Sequence, residues 1–386
     1  MTENASLNEN TVGLSASQTS FLALVMGGLL GFAGLLSLAL MVWFSHRNFG
    51  IDRSAKHGIS VKNTSRLGGV AIAVFFILWS VGSSFQADLF SRVPGSLEPP
   101  SFWWIVLALG LIGLLDDFRV SLSPSIRLIA CGGILTSGFL LNPELMPQKV
   151  LLTFGLAEVP GADVLLLASA VFVGLGFINA ANMADGANGL LGGIVLAFFV
   201  CTWLLTSNSF YFTLSLGLVG FLLVNTLSGR IILGDFGSYG LAALVVLESF
   251  ELYDSGRASL FFLVSLLSYP CLEILRIFWV RVRNGQSPFI ADNQHSHNLL
   301  NTAIQKVAAS KTTANSLTGM AIAITSVAPS LTLFYFQEQT NEVLCGLVSL
   351  GQVSCFLAAY LIFRPNKTPR ELLSTAQTRA QSAAID

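Results

Sequence analysis

Residues 163–190 read DVLLLASAVFVGLGFINAANMADGANGL, an apolar run that passes without a break into a row of amides, one carboxylate and glycines. A hydrocarbon core of about 30 Å takes roughly 20 helical residues at a rise of about 1.5 Å each, so residues 163–181 are expected to span a membrane. Asn179 and Asn182 stand three apart and share a helix face, while Asp185-Gly186 ends the helix before a second apolar run starts at Gly189.

The remainder of the chain repeats this pattern. Hydrophobic residues occupy 53% of the 386 positions and charged residues 11%, far below the rough quarter of charged residues in a soluble domain, so lipid is the expected solvent. A net charge of −1 gives no reason to expect a nucleic-acid partner. Cys131, Cys201, Cys271, Cys345 and Cys355 lie singly in apolar stretches, without the paired spacing of a zinc site or redox couple, and read as small buried hydrophobes. Spans are expected near 20–45, 67–86, 101–116, 125–142, 163–181, 188–207, 210–228, 237–253, 258–281, 314–337 and 343–363: an all-α polytopic membrane bundle of about eleven transmembrane helices. The first run is too long for a signal-peptide core and lacks a basic start, so it is expected to stay as a span. Residues 1–19 then form an extracytoplasmic tail, 20–363 the transmembrane domain, and 364–386 a cytoplasmic tail.

Orientation follows from Lys and Arg, which cytoplasmic connections retain. With the N-terminus outside, only Arg92, Lys149 and Arg257 of the twenty basic residues face outward. The same assignment gathers five chemically distinctive stretches on the cytoplasmic side. Asp116-Asp117 end an apolar helix, where two adjacent carboxylates are costly unless a cation or a water-filled cavity is present; a helix end that reaches headgroup water would look the same. Asn179, Asn182 and Asp185 offer donors and acceptors suited to a uracil, a ribose or a sugar, although capping and turns use the same residue types. Asp235 sits between Gly234 and Gly237, whose freedom lets a carboxylate and backbone amides approach a metal and phosphates; an ordinary glycine-rich turn is the alternative. Ten residues earlier, Asn225 is a costly polar group inside a span and is expected to face the bundle. His295 and His297 lie in the longest inner loop, without the Cys or third His of a transition-metal site, and favour phosphate contact. Lys62 and Arg66 begin a basic stretch running to Gly69, which would also serve as positive-inside anchoring.

Taken in order, these five stretches resemble the polyprenyl-phosphate N-acetylhexosamine-1-phosphate transferases, the superfamily of MraY- and WecA-type bacterial membrane enzymes, over residues 45 to 300. Asp116-Asp117 resemble its paired aspartates, Asn179-x-x-Asn182-x-x-Asp185-Gly186 its Asn/Asp motif, Gly234-Asp235-x-Gly237-Ser238 with Asn225 its third acidic loop, Lys62 to Gly69 its basic loop, and His295 and His297 its histidine loop. The chain has Ser65 where the family usually has Pro, Asn188 where many members repeat Asp, and Asn293 and Asn298 where Arg and a further His are common. The His-x-His form and the helix count are nearer the WecA-like branch.

The resemblance implies transfer of an N-acetylhexosamine-1-phosphate, N-acetylglucosamine-1-phosphate first, from a UDP-sugar to undecaprenyl or another polyprenyl phosphate, with release of UMP. It implies a multi-pass enzyme of the bacterial inner membrane with a cytoplasmic active site, initiating a cell-envelope polysaccharide, and a homodimer. The chemistry calls for Mg²⁺, or Mn²⁺ in its place, bridging the pyrophosphate. Asp116, Asp117 and Asp235 are then the catalytic acids: Asp235 with Asp117 and Asn182 for the metal, and Asp116 as proton acceptor. Lys62, Arg66, His295 and His297 fall to the phosphates, and Asn179, Asn182, Asp185 and Asn225 to the nucleoside sugar. Two rivals fit less well. A secondary transporter should carry its polar groups near the midplane. A CDP-alcohol phosphotransferase needs further aspartates after Asp185-Gly186, and residues 187–207 contain none.

Overall fold

The computed structural model describes residues 31, 33–44, 46, 51–52, 64–84, 100–118, 122–153, 155–156, 159–285 and 295–363. Over these residues the chain is an all-α membrane bundle: α1 (Ala33–Phe44), α2 (Gly68–Ser84), α3 (Trp103–Asp117), α4 (Pro124–Leu141), α5 (Ala162–Ala184), α6 (Leu190–Thr206), α7 (Ser209–Ser228), α8 (Gly234–Asp254), α9 (Leu260–Leu266), α10 (Ser268–Arg283), α11 (Ser296–Ile304), α12 (Lys311–Tyr335) and α13 (Glu342–Phe363). Single turns at Pro143–Leu145 and Lys149–Thr153 join α4 to α5. Each of the eleven expected spans meets a helix. By length and composition, α4, α5, α7, α12 and α13 can cross a membrane, six with the bent pair α9–α10 taken as one. The two tails, 1–19 and 364–386, lie outside the described residues.

Local sequence sets several helix starts. Ser123 accepts from Ile126 N at 3.3 Å with Pro124 opening α4, Ser259 accepts from Phe262 N at 3.0 Å, and Ser310 accepts from Thr313 N at 3.0 Å. At the centre lies α8, which packs against α2, α3, α5 and α6 and buries Leu241, Val245 and Leu247. Its crossing with α3 is close because Gly113 has no side chain: a Cβ there would stand 2.2 Å from the Asp235 carbonyl oxygen. At the periphery, α13 turns Leu347 and Leu350 outward, the apolar surface expected of a lipid-facing helix.

The structure departs from the sequence reading in three places. The ninth expected span, 258–281, is broken: α9 and α10 meet at Leu267 with a bend of 80°. Pro270 has no N–H for the Leu266 carbonyl, and its ring crowds that turn. Backbone groups at the break find side-chain partners on neighbouring helices: Tyr269 N donates to Ser326 Oγ at 3.3 Å and Gln352 Nε2 donates to the Ser265 carbonyl at 3.1 Å, while Ser265 Oγ and Ser268 Oγ pair with Ser330 Oγ at 2.7 Å and Ser326 Oγ at 2.9 Å. The long inner loop contains a helix, α11, beginning at the histidines. Finally, a two-residue antiparallel ribbon, β1 (Ile51–Asp52) with β2 (Thr64–Ser65), interrupts the helical chain before α2.

Candidate active site

The turn from Ile231 to Phe236 organises one end of the bundle. The first N–H groups of a helix have no partner inside it, and Leu233, at the start of α8, supplies no capping side chain. Two aspartates from other elements do so. Asp185 accepts from Leu233 N at 3.2 Å and Gly234 N at 3.0 Å; Asp117 accepts from Asp235 N at 3.0 Å and Phe236 N at 2.9 Å. Both carboxylates are buried. They also complement the positive end of the helix. Burial pushes Asp185 up to about 8, against the pull of these two N–H groups.

The segment 65–69 lies along the same turn. Ser65 N donates to the Arg230 carbonyl at 2.8 Å, Ile232 N to the Ser65 carbonyl at 2.9 Å, Gly68 N to the Ile232 carbonyl at 3.0 Å and Gly69 N to the Leu233 carbonyl at 2.9 Å. This ladder brings the Arg66 backbone over Gly234, which has a φ of 74° and where a Cβ would stand 1.9 Å from the Arg66 carbonyl oxygen. Only glycine tolerates both conditions. Arg66 Nη1 reaches to 3.9 Å from Asp117 Oδ1. Lys62 lies outside the described residues.

Asp116 and Asp235 form a second pair, brought together on one guanidinium nitrogen. Arg127, in the first turn of α4, joins them: its Nη1 is 2.6 Å from Asp116 Oδ2 and 3.5 Å from Asp235 Oδ2. Sequence reasoning counted Arg127 only among the inner basic residues. Its signal was a cation placed soon after the paired aspartates, at a helix start where positive charge is unfavourable without a partner.

The remaining expected residues divide. Asn182 Oδ1 accepts from Ser238 Oγ at 3.1 Å, beside the acids on α8. Asn179, though on the same helix, is exposed and donates to the Leu175 carbonyl at 2.8 Å. Asn225 is buried and works on the backbone, accepting from Gly189 N and donating to the Ile231 carbonyl, each at 2.6 Å. It braces the acidic turn from behind. Asn188 joins this brace, donating from its own N to Asn315 Oδ1 at 2.9 Å and from Nδ2 to Ser316 Oγ at 3.2 Å.

His295 and His297 meet the site from α11, their rings stacked at 5.2 Å and nearly parallel. His297 is buried, with Nδ1 3.0 Å from Tyr269 Oη, and its Nε2 lies against Gly186, where a Cβ would be 3.3 Å away. Burial, with the neighbouring His295, pushes its imidazole down to about 3, so it stands as a neutral wedge rather than a cation.

Residues 100–252 match the model of glycosyl transferase family 4, a region holding Asp116, Asp117, Arg127, Asn179, Asn182, Asp185, Asn188, Asn225 and Asp235 but not Arg66. The chain is 32% identical over 134 residues to the undecaprenyl-phosphate alpha-N-acetylglucosaminyl 1-phosphate transferase of Thermotoga maritima, 34% of this chain and 42% of that relative. The chain is similar to members of the superfamily that its motifs resemble. It is also 39% identical over 102 residues to the phospho-N-acetylmuramoyl-pentapeptide-transferase of Carboxydothermus hydrogenoformans, 24% of this chain and 31% of the relative. With the phospho-N-acetylmuramoyl-pentapeptide-transferase of Deinococcus radiodurans the identity is 28% over 250 residues, 58% of this chain and 74% of the relative. The first two alignments thus span less than half of the relatives' length. The similarity extends to both kinds of transferase, and the family-matched region stops short of the histidine segment.

Among the described residues, no group of three or more His, Cys, Asp and Glu side chains forms a ready metal cage. Two apposed carboxylates, Asp116 and Asp235, suit Mg²⁺, which is commonly held by one or two carboxylates together with substrate phosphates and water.

Proposed function

We propose that this chain transfers an N-acetylhexosamine-1-phosphate, with N-acetylglucosamine as the first choice of sugar, from a UDP-sugar to undecaprenyl or another polyprenyl phosphate. The site would face the cytoplasm of a bacterial inner membrane, as the distribution of Lys and Arg favours. The observation that carries the reading is the meeting of Asp116 and Asp235 with Arg127 at one end of a lipid-solvated bundle, beside the turn held by Asp117 and Asp185. Joining two anionic phosphates next to hydrocarbon requires charges fixed in advance, and that is what this end of the bundle offers.

In this reading a lipid phosphate oxygen bonds to the β-phosphorus, the bond from that phosphorus to the bridging oxygen breaks, and UMP leaves. Mg²⁺ would be held by Asp235 and Asp116 and would polarise the pyrophosphate. Asp117 and Asn182 were the expected companions of Asp235 from sequence. Both Asp117 oxygens already accept backbone N–H groups, and the Asn182 oxygen accepts from Ser238, so Asp116 is the better partner. The lipid phosphate, with a second pKa of about 6, needs little help in losing its proton, which frees Asp116 from the role of base. Arg127 and Arg66 offset phosphate charge, His295 contacts the nucleotide sugar, and His297 fills the space behind Asp185-Gly186. The decisive experiment incubates the purified protein with Mg²⁺, undecaprenyl phosphate and a panel of UDP-sugars and reads UMP. Turnover with a UDP-N-acetylhexosamine is expected; none with any of them would sink the proposal.

A further inference from the structure

Away from the four aspartates, the densest buried charge lies where α10 meets the histidines. Glu273 and Arg276 are 3% and 8% exposed and pair twice, Nη2 to Oε1 at 2.6 Å and Nε to Oε2 at 3.2 Å. The Arg276 guanidinium is stacked 4.8 Å over the Tyr360 ring of α13. A buried ion pair often stabilises no better than packed apolar side chains, so stability alone accounts poorly for it. Its other contacts show what it holds. Glu273 Oε1 accepts from Ser296 N, the first residue of α11, at 3.0 Å and lies 3.4 Å from His295 Nδ1. The carboxylate therefore meets a helix N-terminus, where an N–H needs a partner and negative charge is favoured. It also faces Nδ1 of the His295 ring.

We propose that Glu273 is a positioning residue for the transfer reaction: through Ser296 and His295 Nδ1 it aims His295 Nε2 at a phosphate of the nucleotide sugar, with Arg276 and Tyr360 holding the carboxylate in place. The inference rests on the phosphosugar-transferase reading. An imidazole that carries protons on both nitrogens donates from each, so a carboxylate beside Nδ1 would fix the ring while Nε2–H serves the substrate. Tyr269 likewise fixes the His297 ring through Nδ1. Neither Glu273 nor Arg276 was singled out from the sequence, although an acid and a base three apart inside an apolar run carry a functional signal of their own.

The test is a double-mutant cycle on the full-length protein, reading UMP release against UDP-N-acetylglucosamine concentration for Glu273→Gln, His295→Ala and the combination. Glu273→Gln should raise KM about tenfold with kcat changed less than about twofold, in line with a weakened charge-assisted contact. In the His295→Ala background it should change almost nothing, because the group it aims is gone. Effects that multiply in the combination would overturn the proposal. Should Glu273→Gln not survive purification, Glu273→Met with Arg276→Met removes both charges and is judged by the same cycle; a wild-type KM in that variant also overturns it. Hydrogen exchange supplies a readout independent of turnover: the amides of Ser296–Ile304 should exchange about tenfold faster in Glu273→Gln. Unchanged exchange defeats the positioning of α11 even if the enzyme reading stands, whereas faster exchange in Glu273→Gln, with the wild-type protein inactive on every UDP-sugar, defeats the enzyme reading and the phosphate end of this one.

Discussion

Arg127→Ala should move two measured quantities in opposite directions. Arg127 Nη1 lies 2.6 Å from Asp116 Oδ2 and 3.5 Å from Asp235 Oδ2, with 24% of its side chain exposed. A hydrogen bond between charged groups contributes about 1.5–3 kcal/mol, and partial exposure places this one toward the lower end. A divalent cation seeking the same two oxygens must displace that contact, so without the guanidinium apparent Mg²⁺ affinity should rise, by about tenfold for roughly 1.4 kcal/mol. The transferring phosphates meanwhile lose a fixed positive charge, and kcat should fall by about 10- to 100-fold. Arg127→Lys keeps the charge without the planar fork and should fall between the two. The assay is UMP release with Mg²⁺ titrated at saturating UDP-sugar. Loss of Mg²⁺ affinity and turnover together would mean that Arg127 builds the acid pair rather than competing for it. Kinetics unchanged in both respects would leave it an ordinary surface charge and refute the reasoning.

Three further outcomes are expected. Gly113→Ala would bring a Cβ to 2.2 Å from the Asp235 carbonyl oxygen, forcing α3 from α8 at the acids, whereas Gly133→Ala meets nothing within 4 Å; thermal unfolding in detergent should show a loss of about 1–3 kcal/mol for the first and none for the second, and equal shifts would contradict the packing. His297 is held at about 3, below the ordinary value of about 6.5, so the unfolded chain takes up the proton first. Its contribution is intact above pH 6.5 and lost as pH falls toward 3, about 2 kcal/mol between pH 7 and 5, and His297→Gln should flatten this slope in a stability measurement; a slope like the wild type's would refute the assignment. Reporter fusions should place the chain after Arg364 in the cytoplasm and the N-terminus in the periplasm, and both ends on one side would overturn the eleven-span reading.

The membrane bundle and the identity of most polar site residues were legible in the linear sequence because both are local properties. An apolar run such as 163–181 declares a helix by length alone, and polar groups such as Asp185 or Asp235 stand out because lipid makes them costly. The division of labour among those residues was not legible. Asp117 and Asp235 look alike in sequence, yet Asp117 is taken up by N–H groups as far as 119 positions away, while Asp235 is left facing Asp116. Asn225 reads as a substrate contact until its amide is found on the backbone of Gly189 and Ile231. The break at Leu267 had a local mark in Pro270, but whether proline bends a span depends on partners for backbone groups at the bend, and these come from Ser326 and Gln352 on other helices. Arg127 and Glu273 acquire meaning only from what lies across the bundle. Hydropathy and motif spacing thus determined what the chain dissolves in and which chemistry it carries, because each depends on residue type along the chain. Which carboxylate caps a helix, which is left for a cation and which aims a histidine was decided by tertiary structure, because hydrogen bonds and charge pairing act through space over distances that the order of residues does not encode.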